Sequence, residues 1–213
     1  MSDKIEFNEQ NQMWWATFES PDRQQAHYEY HTRHLKDLDY ACRIANKRVA
    51  VQAGGNVGIW PNYLIEKGFE YVLSFEPDPD LYAAMTKNVD LDRVHCSNYA
   101  LSDTNGNGKF YRTGKSGTGF TTKNSLEDRI DAVPIKFITI DSFNLDYCDA
   151  LFIDVEGHEV SVFRGAVETI KKHRPLIQTE LLERTRDDIH NFLESLDYRL
   201  VQRFGKDGVY LPR

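Results

Sequence analysis

One stretch of the chain restricts its fold more than any other: Arg48 to Trp60, read together with Glu76. An apolar run, Val49-Ala50-Val51, leads into Gln52-Ala53-Gly54-Gly55-Asn56-Val57-Gly58, and a helical pattern follows. A second apolar run, Tyr71-Val72-Leu73, continues into Ser74-Phe75-Glu76-Pro77-Asp78. A strand, a glycine turn, a helix and a second strand ending in a carboxylate make a nucleoside-binding half of a doubly wound sheet. Glycines let the backbone turn sharply and approach a ligand closely. A carboxylate on the next strand accepts both hydroxyls of a ribose.

The spacing narrows the nucleoside. A dinucleotide fingerprint is G-x-G-x-x-G with a pyrophosphate at the helix N-terminus, and G-G-N-V-G departs from it. A P-loop closes with Gly-Lys-Ser/Thr, whereas this loop closes with Val57-Gly58-Ile59. An adenosyl ligand without phosphates, such as S-adenosylmethionine, fits better. A tight strand-to-helix turn that binds nothing is the alternative at this point.

The 213 residues suffice for one domain with a substantial core and a small accessory element. A net charge of −7 and a pI near 5.5 leave no broad basic footprint, so duplex nucleic acid is not an expected partner. No apolar stretch approaches the ~20 residues of a membrane span, and the start lacks the apolar core of a signal peptide. Cys42, Cys96 and Cys148 include no C-x-x-C pair and read as small packing residues in a reducing compartment. A cytoplasmic protein is expected.

Residues 1–46 read as a mostly helical extension with an aromatic lead (Trp14, Trp15, Phe18), and Ser20-Pro21-Asp22 marks a turn or helix start. His27, His31 and His34 share one helical face, as metal ligands would, although a polar surface helix explains them more simply. Residues 47–213 alternate strand and helix. Helices are expected over about Trp60–Lys67, Asp80–Asn88, Glu159–Lys172 and Arg184–Leu196. Strands are expected near Val94–Tyr99, Ala150–Val155 (a buried one) and Leu176–Leu181, and Tyr198–Phe204 with Val209–Leu211 reads as a terminal hairpin. Between the third and fourth of the parallel strands the pattern shows extra β structure (Lys109–Arg112, Ile135–Ile140), with at most a short helix near Ser125–Asp131. The Gly- and hydroxyl-rich Thr113–Thr122 reads as a loop, either a lid near the site or a solvated connection. The expected fold class is α/β: a three-layer, doubly wound, mostly parallel sheet with a C-terminal antiparallel hairpin and a helical N-terminal extension.

Ligands of such sheets lie outside the carboxyl ends of the strands. The residues expected there are Gln52–Gly58, Glu76–Asp78, Asn98–Ala100 and Asp154–Glu159. Asn98 can offer its amide to an adenine edge or serve as a turn residue. The last group, Asp154-Val155-Glu156-Gly157-His158-Glu159, holds three carboxylates and a histidine directly after a buried strand. Clustered carboxylates raise one another's pKa and supply bases or metal ligands. Glu159 fits better as a helix N-terminal acid, and two carboxylates alone are a thin case for a metal.

On these motifs the chain resembles the FkbM-type methyltransferases, S-adenosylmethionine-dependent enzymes with the class I methyltransferase fold. The resemblance runs from about Val49 to Leu182. It rests on A-G-G-N-V-G, F-E-P-D-P, N-Y-A-L-S-D and I-D-V-E-G-H-E-V-S-V-F-R-G-A in that order, with T-I-D-S-F at Thr139–Phe143 before the last. It implies that Gly54, Asn56 and Gly58 cradle the amino-acid part of the cofactor and that Glu76 holds its ribose. Asp78 and Asn98-Tyr99-Ala100 would flank adenine, and Asp154 would lie near the transferred methyl. The family usually has an acidic residue where this chain has Gln52, so cofactor binding is weakened or another group compensates. The resemblance implies O-methylation of a small molecule or sugar, with Asp154, Glu156 and His158 as base candidates. Two other readings stay open here: a catalytically degenerate binding module, kept alive by Gln52, and a nicotinamide-dependent oxidoreductase, disfavoured by the glycine spacing.

Overall fold

A computed structural model describes residues 4–112, 118–120 and 132–213. The aromatic lead, expected to be helical, is a two-stranded antiparallel ribbon of β1 (Ile5–Asn8) and β2 (Met13–Ala16), with Phe7 opposite Trp14. Short apolar runs leave helix and strand undecided. Here pairing at period two turns Trp15 fully inward, where its indole N–H donates to Asn11 Oδ1 at 2.9 Å. The helical extension is present as α1 (Pro21–Ile44), with Pro21 in the first turn, where its missing N–H costs nothing.

From β3 (Val49–Ala53) the chain alternates as expected. α2 (Ile59–Glu66), β4 (Tyr71–Phe75), α3 (Pro79–Asn88) and β5 (Val94–Ser97) complete the first half. Asn88 clamps the ribbon to this half: its amide donates to the carbonyls of Trp14 and Val57, and its carbonyl accepts from the Trp14 N–H.

The crossover out of β5 carries no α-helix among the described residues, only a 3₁₀ turn at Ile140–Phe143. It carries a second sheet instead, built from β6 (Ala100–Leu101), β7 (Gly106–Arg112), β8 (Thr118–Phe120) and β9 (Ala132–Ile138) in the order β6-β9-β7-β8. Phe110, Ile135 and Phe137 bury its inner face against Ala100. Most of Thr113–Thr122, and all of Ser125–Asp131, lie outside the described residues.

The second half comprises β10 (Ala150–Ile153), α4 (Glu159–Arg164), α5 (Val167–His173), β11 (Leu176–Glu180), α6 (Arg186–Ser195), β12 (Tyr198–Phe204) and β13 (Asp207–Pro212). The main sheet runs β12-β13-β11-β10-β3-β4-β5, parallel from β11 to β5, with β13 antiparallel to both its neighbours. Strand alternation sends Val51, Leu73, Leu151 and Ile177 to a core shared with α4, α5 and α6. Ala50, Val72 and Phe152 face a second core with Leu38, Ala41 and Cys42 of α1 and Leu64 of α2. The three cysteines are free thiols, two buried and one half-buried.

The single helix expected over Glu159–Lys172 is broken. A Cβ on Gly165 would lie 1.9 Å from the Ser102 carbonyl, so the backbone there is pressed against the loop after β6. Asp141 then restarts the helix, accepting from the Glu168 and Thr169 N–H groups and the Thr169 hydroxyl. The T-I-D-S-F and R-G-A motifs are thus two halves of one packing joint.

Candidate active site

The chain order reverses direction between β3 and β10, and the carboxyl ends of these two strands open at that switch point. Gly54 leaves β3 at φ +87°, with its N–H and that of Gly55 donating to the Phe75 carbonyl at 3.0 and 2.9 Å. A Cβ on Gly54 would stand 2.0 Å from the Asp154 carbonyl oxygen, so only glycine lets the two strand ends approach this closely. Asn56, at φ +47°, accepts from the Val57 N–H with its own side chain, a local bond that suits asparagine to this conformation. Gly58 caps α2.

Glu76 is the buried anchor of the loop, only 4% exposed. One carboxylate oxygen accepts from the Asn56 N–H and the other from the Asp78 N–H, both at 2.8 Å. Burial pushes its pKa up to about 8, and the two N–H donors pull against that rise.

Two adjoining hollows share Gly54 and Asp154. One is lined by Glu76, Pro77, Tyr99 and Glu156, the other by His31, Asn56, Ile59 and Trp60. Asp154 is half-buried, and its carboxylate has no hydrogen-bond partner among the described residues. Burial raises its pKa well above the usual carboxylate range, reinforced by Glu180, Glu156, Asp207 and Glu159. Glu180, at the end of β11, is pushed up to about 7 by burial and by Glu156, and Asp207 to about 6 by burial and by Asp37. Lys206 offsets part of this charge from 3.6 Å beside Glu180.

Other expected site residues are engaged elsewhere. The Gln52 amide donates to the Gly54 carbonyl at 2.8 Å and its oxygen accepts from the Ser74 hydroxyl, inside the sheet's helix-covered face. Asp78, fully buried, caps α3 through the Asp80 and Leu81 N–H groups and takes a two-pronged ion pair from Arg112 at 2.6 and 2.8 Å. Arg112 also pairs with Asp80 and stacks 4.1 Å over the Phe18 ring, joining the second sheet, α3 and the N-terminal segment. Arg112→Ala is expected to cost about 2–3 kcal/mol in urea unfolding, since Asp78 would stay buried without its cation.

Asn98 donates to the carbonyls of Glu76 and Pro77, bracing the loop that carries Glu76. Its side chain and Tyr99 also border a groove of about 630 Å³ between β5 and the second sheet. Glu156 sits at φ +55° in an exposed turn held by Arg184. Buried Glu159 ties that turn together through the Gly157 and Val155 N–H groups, the capping role expected of it. His158 lines neither hollow: its Nε2 lies 2.9 Å from Ser102 Oγ, its ring is near Phe137, and burial lowers its pKa.

The three histidines of α1 do not converge. His27 pairs with Glu19, the His34 ring bonds the Tyr30 carbonyl, and His31 alone borders a hollow. Among the described residues no group of three or more His, Cys, Asp or Glu is placed to hold a metal, and no helix is long and apolar enough to cross a membrane. Glu180 and Trp60 were not marked as site residues from the sequence. Glu180 carried a usable signal, a carboxylate closing a buried strand as Glu76 does; Trp60 carried none.

The family model of the methyltransferase FkbM domain matches residues 52–200. No functionally curated protein matches the sequence significantly. Among solved structures, the methyltransferase FkbM from Methylobacillus flagellatus KT aligns at 20% identity and a TM-score of 0.55, over 78% of this chain and 43% of that one. The chain thus spans less than half the length of that relative. An rRNA methylase from Streptococcus thermophilus aligns at 11% identity and TM-score 0.51, over 83% and 94% of the two chains. A ribosomal protein L11 methylase from Lactobacillus delbrueckii subsp. bulgaricus aligns at 11% and 0.50, over 86% and 79%. These likenesses show the class I methyltransferase fold, with its mostly parallel sheet and reversed terminal hairpin. On the family match, which covers well over half its length and includes the glycine loop, Glu76 and Asp154, the chain belongs to the FkbM methyltransferase family.

Proposed function

We propose that this protein transfers the methyl group of S-adenosylmethionine to a hydroxyl on a small molecule or sugar. The observation that carries the reading is Asp154, an unpaired carboxylate at the switch point that borders both hollows. When bound, the cofactor supplies a sulfonium-activated methyl, and the protein's task is alignment, desolvation and proton removal. Glu76 would hold the ribose hydroxyls. Gly54 and Asn56 would lie against the amino-acid end. Asp154 would take the proton of the acceptor hydroxyl, and a raised pKa makes it a stronger base than an ordinary carboxylate. Glu156 borders the same hollow as Glu76, and His158 remains a base candidate only if the acceptor reaches toward Ser102.

Gln52 weakens the reading less than its missing charge suggests. Its amide is consumed by Ser74 and the Gly54 carbonyl, so a neutral side chain there serves the loop's geometry. A nicotinamide dinucleotide would need a pyrophosphate turn that G-G-N-V-G does not provide.

The test is transfer of a labelled methyl group to a panel of sugars and small alcohols. Asp154→Asn is expected to cut turnover by roughly 10²- to 10⁴-fold with cofactor still bound. Full turnover in both Asp154→Asn and His158→Ala would remove these residues as the base.

A further inference from the structure

The second hollow contains chemistry that neither the glycine loop nor Asp154 accounts for. His31 reaches it from α1, outside the residues matched by the family model. The His31 ring packs edge-on to Tyr30 at 5.5 Å and to His27 at 6.1 Å, yet neither of its nitrogens has a hydrogen-bond partner among the described residues. Trp60, at the start of α2, borders the same hollow, and its indole N–H is buried without a partner. A buried indole N–H is ordinarily satisfied, and an orphaned one points to a missing ligand group or water, while half-buried His31 brings its ring to the border of the same hollow. Asp154, an acceptor, borders the same space.

An α-amino acid group presents an ammonium that needs acceptors and a carboxylate that needs donors. We propose that His31 and Trp60 form a notch for the carboxylate of the cofactor's amino-acid end. The inference rests on the S-adenosylmethionine reading. Burial, with His27 and His34 adding to it, lowers the His31 pKa to about 4, so the ring is neutral at physiological pH and offers one N–H without carrying charge. The indole can only donate. Two neutral donors suit the carboxylate of a zwitterion, since they bind it without adding net charge to the hollow.

Decarboxylated S-adenosylmethionine keeps the sulfonium and the ammonium and lacks only the carboxylate, so its affinity relative to S-adenosylmethionine isolates this contact. Calorimetric titration of the full chain with both compounds is expected to show wild type preferring the carboxylated form by about tenfold or more, the worth of one hydrogen bond to a charged group. His31→Phe and Trp60→Phe keep an aromatic ring and remove the nitrogen. Each is expected to erase most of that preference while leaving the decarboxylated compound's affinity unchanged. A preference that persists in either variant overturns the notch. So does an equal loss for both compounds, which would mark a packing role. Wild-type protein that binds neither compound would overturn the cofactor reading itself, an outcome distinct from intact binding with unaltered preference in the variants.

Discussion

Glu76→Ala is expected to weaken S-adenosylhomocysteine binding by about two to three orders of magnitude, measured by calorimetry on folded protein above pH 8, where the Glu76 carboxylate is ionised. Two ribose hydroxyls would lose a shared charged acceptor, at about 1.5–3 kcal/mol for each hydrogen bond to a charged group. The loop would also lose the carboxylate that holds the Asn56 and Asp78 N–H groups. Binding that survives within a few-fold would move the ribose elsewhere.

The same residue gives a pH signature. Its carboxyl titrates near 8 in the folded protein, against about 4.3 in an unfolded chain. The folded state therefore holds this proton more tightly. Its contribution to stability is complete below the unfolded pKa and is lost as pH rises through about 8. The ligand-free melting temperature should fall over that window. Asp154, Glu180 and Asp207 act in the same direction, so Glu76→Gln should flatten the fall only in part. Affinity for the ribose should rise over the same range, as the ionised acceptor becomes populated, and Glu76→Gln should abolish that rise.

Gly54→Ala is expected to be the most damaging single added methyl at the site, costing about 4 kcal/mol or more in urea unfolding and preventing cofactor binding. The new Cβ would meet the Asp154 carbonyl oxygen at 2.0 Å, and φ of +87° is strained for any L side chain. The colliding atom is backbone just past the end of β10, tied to β3 by the Asp154 N–H donating to the Ala53 carbonyl at 3.2 Å, so it cannot retreat without opening that pairing. Gly106→Ala is the control: its Cβ meets nothing within 4 Å, and the change should stay within about 1 kcal/mol. A Gly54→Ala protein as stable as that control would show that β3 and β10 can separate at their ends.

Much of this architecture is legible from residue order. The parallel strands, the glycine loop and the terminal hairpin are written as apolar runs bounded by glycine, proline and acidic residues, and local sterics enforce them. The N-terminal ribbon was not legible, because four-residue aromatic strands carry too few periods to separate a helix from a sheet. The break at Gly165 was not legible either, since it depends on Ser102, a residue remote in sequence.

The candidate site divides in the same way. Its residue types and their order along the chain were set by the sequence alone: the loop Gly54–Gly58, the carboxylates Glu76 and Asp154, and the turn after them. Which carboxylates stay available was decided only by tertiary structure. Asp78 is taken by Arg112, 34 residues away, Glu159 by its own turn, and Gln52 by Ser74 across the sheet. Asp154 is left unpaired, with Glu180 nearby and His31 brought to the same hollow from α1. Local pattern reports periodicity and conformational preference. Pairing, desolvation and pKa follow distances in space, and those exist only once distant segments have packed.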